Sequence, residues 1–165
     1  MNDLGNITQT LVTSVAGLAA GTTTTYSTTA TVNYCIKGKA FAKTAVTNGA
    51  TPTLDGTTGA AFKPIPIGSA SVFVYSFNAA GAVVVSQGGI EPQDISGAIV
   101  RAPQFPIVPD GAAPFGYQVV RLAPSTATTP AVATWTFGTN NNSAVTGVTQ
   151  TFTSIMLLPD RPQAS

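Results

Sequence analysis

The side chains that usually do chemistry are scarce in this chain, and the commonest of them is missing. There is no histidine among its 165 residues, so the usual general base, nucleophile activator and metal ligand are all unavailable. A Ser-His-Asp or Cys-His arrangement cannot be assembled within one chain, and zinc lacks its Cys/His set. The one cysteine, Cys35, has Lys37 and Lys39 nearby in sequence, cations that would favour a thiolate. With no base to partner it, an inert structural thiol is the expectation. A two-carboxylate glycosidase would have to draw on Asp3, Asp55, Glu91, Asp94, Asp110 and Asp160. None sits in an aromatic-rich stretch like a sugar cleft, and Asp55-Gly56 and Asp110-Gly111 read first as turns. Glu91 and Asp94 are close enough in sequence to share a calcium ion, but a hard cation wants about six or more oxygens. Gly-Thr-Thr-Thr after Ala20 lacks the lysine of a phosphate loop, and Gly88-Gly89 opens no helix. The chain therefore reads as a non-enzyme, with no catalytic residue, cofactor or metal.

The elements that carry these residues are mostly short strands. From Thr24 the apolar period is two: Tyr26, Ala30, Val32, Tyr34 and Ile36 face one way, while Ser27, Thr29, Thr31, Asn33, Cys35 and Lys37 face the other. Gly38 interrupts, and Ala40 to Val46 either continues that strand or returns beside it. Lys37, Lys39 and Lys43 alternate as a solvated sheet edge would. Asn48 to Gly59 is a loop with Asn48-Gly49 and Asp55-Gly56 turns. Ser71 to Phe77 is apolar on both faces, as in a strand buried on both sides. A turn through Gly81 returns it as Ala82 to Gln87, and Gly88-Gly89 ends that strand. Pro103, Pro106, Pro109 and Pro114 punctuate an extended loop. Phe115 to Leu122, Ala131 to Phe137 and Val148 to Leu158 supply the last strands, with a polar loop over 138–147. The aromatics Phe73, Tyr75, Phe77, Tyr117, Trp135 and Phe137 lie mostly on these strands, and a buried core is favoured over an exposed sugar platform.

At the N-terminus Leu4, Ile7, Leu11, Val15 and Leu18 recur at spacings of three and four, one apolar stripe of a short helix. The Thr content lowers helix propensity, so an extended arm is the alternative. The fold class is all-β and mainly antiparallel, a β-sandwich or barrel-like domain with a short N-terminal helix or arm. The expected division is an N-terminal helix or arm over 1–21, a β-domain over 22–158 and an extended tail over 159–165.

Charged residues make up 8% of the chain and the formal net charge is +1, against roughly 25% charged in an ordinary soluble domain. Thr, Ser, Asn and Gln occupy the polar positions. Such a surface is cheap to desolvate, because burying a hydroxyl or amide costs far less than burying a charge. The composition suits a subunit packed against copies of itself or a larger lattice. Nucleic acid is disfavoured as a partner, since phosphate binding needs a basic face. The N-terminus lacks the positive region of a signal peptide. The uncharged stretches are too rich in Thr, Gly and Pro to span a membrane.

Four segments carry a family resemblance: GKAFAKTAVTNGATPTLDGTTGAAFKPI (38–65), SVFVYSFNAAGAVVVSQGG (71–89), APQFPIVPDGAAPFGYQVV (102–120) and LLPDRP (157–162). In these the chain resembles small structural proteins of tailed bacteriophage virions. The resemblance implies a β-rich virion component, most like a capsid decoration (cement) protein. Such a protein sits on the outer surface of the capsid, bound as a homotrimer to the major capsid protein, after synthesis in the host cytoplasm. It implies no catalytic residues. On this reading the interface is the stripe Leu4, Ile7, Leu11, Val15, Leu18 and the tail Pro159, Asp160, Arg161, Pro162, and removing the first 20 residues would leave the β-domain folded. The alternative is a receptor-binding or fibre-tip module that contacts host glycans.

Overall fold

The computed structural model describes residues 10–125, 129–140 and 145–157. Leu4, Ile7, Pro159, Asp160, Arg161 and Pro162 lie outside them. The described residues form eleven strands and no helix: β1 (Leu11–Val12), β2 (Leu18–Ala20), β3 (Tyr26–Thr28), β4 (Val32–Ile36), β5 (Lys39–Lys43), β6 (Ile65–Pro66), β7 (Ser69–Asn78), β8 (Val83–Pro92), β9 (Ala112–Leu122), β10 (Thr134–Trp135) and β11 (Val148–Ser154). All the pairings are antiparallel. A four-stranded sheet runs β11-β9-β7-β8, a three-stranded sheet runs β1-β4-β5, and β2-β3 and β10-β6 form two ribbons. The architecture is all-β and sandwich-like.

The core lies between the layers. Phe73, Tyr75, Phe77, Phe115, Val120 and Leu122 from the large sheet meet Val12, Val32, Tyr34 and Ile36 from the small one. Trp135 and Phe137 close one side by packing on Phe73, with ring centroids at 5.6 and 4.9 Å. Strand β7 is buried on both faces because the large sheet has a second apolar layer. Val72, Val74, Tyr117 and Val119 point away from the main core and are covered by Phe105, Val108 and Ile155. The proline-punctuated segment before β9 is thus a lid of extended backbone, with Phe105 edge-on to Tyr117 at 5.1 Å.

Several expectations are corrected. The apolar stripe of a helix does not form over the described residues: Leu11 and Val12 pair with β4, and Leu18 to Ala20 pair with β3. Gly17, at φ +63°, breaks the run, and pairing satisfies backbone groups that a Thr-rich helix would hold poorly. The strand predicted from Thr24 onward is two strands, parted at 29–31. Gly88-Gly89 does not end β8, which continues to Pro92. Gly88 instead makes room for the lid, since a Cβ there would stand 2.2 Å from the Gln104 carbonyl oxygen. Pro114 is within β9, opposite Ser76, where the register shifts by a bulge that tolerates a residue without N–H. The expected strand over 131–137 shrinks to Thr134–Trp135, because the Thr136 N–H is drawn to Asn140 Oδ1 at 2.6 Å and the chain turns. The last strand stops at Ser154.

Candidate functional site

Among the described residues the fold brings no candidate nucleophile and base together. Lys37 Nζ is bonded to Asp110 at 2.7 Å, Lys39 lies over the Phe41 ring at 5.5 Å, and Cys35 is a half-buried free thiol. Among the described residues no three of the Cys, Asp and Glu side chains gather as a metal site. Asp55 is buried and its carboxylate accepts the N–H groups of Thr57 at 2.7 Å, Thr58 at 3.2 Å and Gln87 at 3.1 Å. It is a clip that fastens the 55–61 turn to β8. Asp94 holds the 94–98 turn: its Oδ1 accepts the Ser96 hydroxyl and the Ser96 and Ala98 N–H groups at 2.7–2.9 Å. The Ser96 hydroxyl first, then the Ala98 amide, keep its carboxyl below the usual value. Phe73, Tyr75, Phe77, Tyr117, Trp135 and Phe137 are all core residues, so none offers a platform to a sugar. Burial raises the Tyr75 phenol well above its ordinary pKa, with a smaller contribution from Tyr26, and lifts Tyr26 to about 12. Both phenols are neutral and structural.

What the fold does build is a sheet face with an uncharged recess. The β4–β5 hairpin turns through Lys37 (φ +49°) and Gly38 (φ +78°), a two-residue connection with both central residues left-handed, whose twist matches the strands. It sets Cys35 opposite Ala40, Tyr34 opposite Phe41 and Asn33 opposite Ala42. On the inner side Val32, Tyr34 and Ile36 are buried, with Tyr34 stacked on Phe41 at 5.5 Å and its hydroxyl donating to the Asn78 carbonyl at 3.0 Å. Strict alternation then turns Asn33, Cys35, Ala40 and Ala42 outward. Strand β1 completes the face: Leu11 pairs with Cys35, and Thr13 donates N–H and hydroxyl to the Asn33 carbonyl at 2.8 and 3.1 Å. The result is a shallow recess of about 420 Å³ lined by Thr13, Asn33, Tyr34, Cys35, Ala40, Phe41 and Ala42. No residue that lines the recess carries a charge, and Lys37, at the hairpin end in phase with Asn33 and Cys35, is paired with Asp110. Lys39 and Lys43 share the phase of Phe41 on β5, so the alternation turns them away from this face.

Of the predicted interface residues, Leu11, Val15 and Leu18 are the described ones, and they are differently placed. Leu11 belongs to this face, Val15 is exposed in the link between β1 and β2, and Leu18 is buried at 6% exposure, where a Cβ on Gly116 would stand 2.7 Å from its Cδ2. No family model matches the chain, and neither a curated protein nor a solved structure matches it. Thr13, Asn33, Ala40 and Ala42 were missed as candidates. The signal that could have found them was Lys37-Gly38 as a two-residue turn, which would have made Ala40 to Val46 the returning strand and given its outward phase.

Proposed function

We propose that this chain is a non-catalytic structural subunit that works by association, and most concretely a decoration (cement) protein on the outside of a phage capsid. The observation that carries the reading is the β1-β4-β5 face. Its recess is shallow and lined without a charged residue, so covering it costs little desolvation. The amides and hydroxyls of Asn33 and Thr13 supply direction without the penalty of buried ions. In this role the partners are the major capsid protein and sister copies in a homotrimer, where several modest contacts engaged together give avidity. Neither nucleic acid nor membrane is required, and among the described residues no helix is long and apolar enough to cross a membrane. A glycan-binding fibre tip is less well supported, because the aromatics it would present are in the core.

The test is co-sedimentation with empty capsids, with the oligomeric state read by light scattering. The double variant Ala40→Arg, Ala42→Arg places two charges on exposed positions of the face. We expect unchanged folding and at least about tenfold weaker capsid binding, or about 1.4 kcal/mol. Wild-type binding by that variant would remove the face from the mechanism. A wild-type protein that ignores capsids would remove the decoration role.

A further inference from the structure

The chain contains one Asn-Gly dipeptide, Asn48-Gly49, and the fold both requires it and restrains its chemistry. Asn48 has φ +53°, a left-handed conformation that asparagine tolerates better than most residues. Gly49 has no room for a side chain: a Cβ would stand 2.5 Å from Val46 Cγ1 and 2.8 Å from the Tyr26 ring. Such a dipeptide is intrinsically reactive. The backbone nitrogen of Gly49 can attack Cγ of Asn48, forming a C–N bond and a succinimide while the side-chain nitrogen leaves as ammonia. Water then opens the ring at either carbonyl, leaving aspartate or isoaspartate at position 48.

The attacking nitrogen and the side chain that it must reach are both held. The attacking nitrogen donates its hydrogen to the Tyr26 carbonyl at 2.8 Å, and the Gly49 carbonyl accepts the Tyr26 N–H at 3.0 Å. The Asn48 side chain is turned to the 22–25 bend, where its Oδ1 accepts the Thr22 N–H at 2.9 Å. The Asn48 N–H is bonded to Ser27 Oγ at 3.1 Å. Attack needs the Tyr26–Gly49 bridge open and the side chain swung off Thr22 at the same time.

We propose that Asn48 is a latent deamidation site gated by release of the 46–52 loop from β3. Exposure of the side chain does not decide its rate; the two-way backbone bridge does. An isoaspartate at position 48 adds a methylene to the main chain, so the Tyr26–Gly49 pairing cannot be remade and the loop over Tyr26 stays released. The modification therefore turns a transient opening into a permanent one, independently of where the subunit serves.

The test follows the gain of one mass unit at Asn48 by peptide mapping at pH 8 and 37 °C, in native protein and in protein unfolded by urea. Native protein should react at least about tenfold more slowly than unfolded chain, as expected for a gated local opening. Ser27→Ala removes one tether and should speed the native reaction roughly fivefold, the equivalent of one hydrogen bond, without changing the unfolded rate. Should that variant not fold, sub-denaturing urea applied to the wild type must accelerate the native reaction instead. Native and unfolded rates within twofold of each other, or a native rate unmoved by the loosening used, would overturn the gate. Absence of reaction in the unfolded chain would overturn the site.

Discussion

Leu18→Ala tests whether the N-terminal segment is part of the domain or an appendage to it. Leu18 is 6% exposed, its N–H donates to Ser154 Oγ at 2.7 Å, and its side chain covers Gly116. Removing three carbons forfeits about 2.4 kcal/mol of transfer free energy at ~0.8 per carbon, and the residual cavity brings the cost to about 3 kcal/mol. Against a net stability of about 5–15 kcal/mol, that is a large fraction. Gly116→Ala attacks the same contact from the other side. Its methyl would stand 2.7 Å from Leu18 Cδ2 and 2.9 Å from the Thr153 carbonyl oxygen, an overpacking cost of about 1–3 kcal/mol. In the double variant the 2.7 Å clash with Leu18 Cδ2 is gone while the contacts with the Thr153 oxygen at 2.9 Å and with the Cβ of residue 18 at 3.2 Å remain, so the combined cost should fall short of the sum by about 1 kcal/mol. Urea unfolding followed by the fluorescence of buried Trp135 reads all three. A Leu18→Ala loss below about 0.5 kcal/mol, the range of an exposed substitution, would refute the reasoning. So would strict additivity. The same logic reverses the expectation for deleting residues 1–20: Val12, Ala16 and Leu18 are all core residues, so the truncated chain should be severely destabilised.

Alkaline pH should weaken the fold through its buried phenols. Tyr26 is raised to about 12 and Tyr75 well above its ordinary 10, so their contribution is intact below pH 10. It is lost as pH rises towards the folded values, by roughly 1.4 kcal/mol per pH unit for each phenol titrating in the unfolded chain alone. Urea midpoints at pH 9, 10 and 11 check this, and a flat profile would contradict the burial. Asp55→Ala removes the acceptor for three N–H groups and should cost about 2–3 kcal/mol, with hydrogen exchange of the Gln87 amide accelerated. Unchanged exchange at Gln87 would show that the clip does not hold the turn to β8.

Much of the fold was legible because its signals are local. Alternation places Val32, Tyr34 and Ile36 on one face whatever they pack against, and Gly81 at φ +72° is the turn that Asn78-Ala79-Ala80-Gly81 announces. The continuous apolar run Ser71 to Phe77 demands burial on both sides, which the lid of Phe105 and Val108 provides. Long-range partners decided the rest. Leu11, Val15 and Leu18 have helical spacing, yet Leu18 is held by Ser154, 136 residues away, and no local pattern encodes that. Gly88 and Pro114 look like strand breakers, but one leaves space for a crossing loop and the other occupies a bulge. Asp55 reads as a turn former, and its bond to the Gln87 amide exists only because β8 runs past it. The scarcity of charge is legible in the composition, whereas the recess on β1, β4 and β5 exists only because three strands meet in one register. Side-chain phase and turn chemistry belong to neighbouring residues, while pairing is settled by which distant surfaces exclude water together.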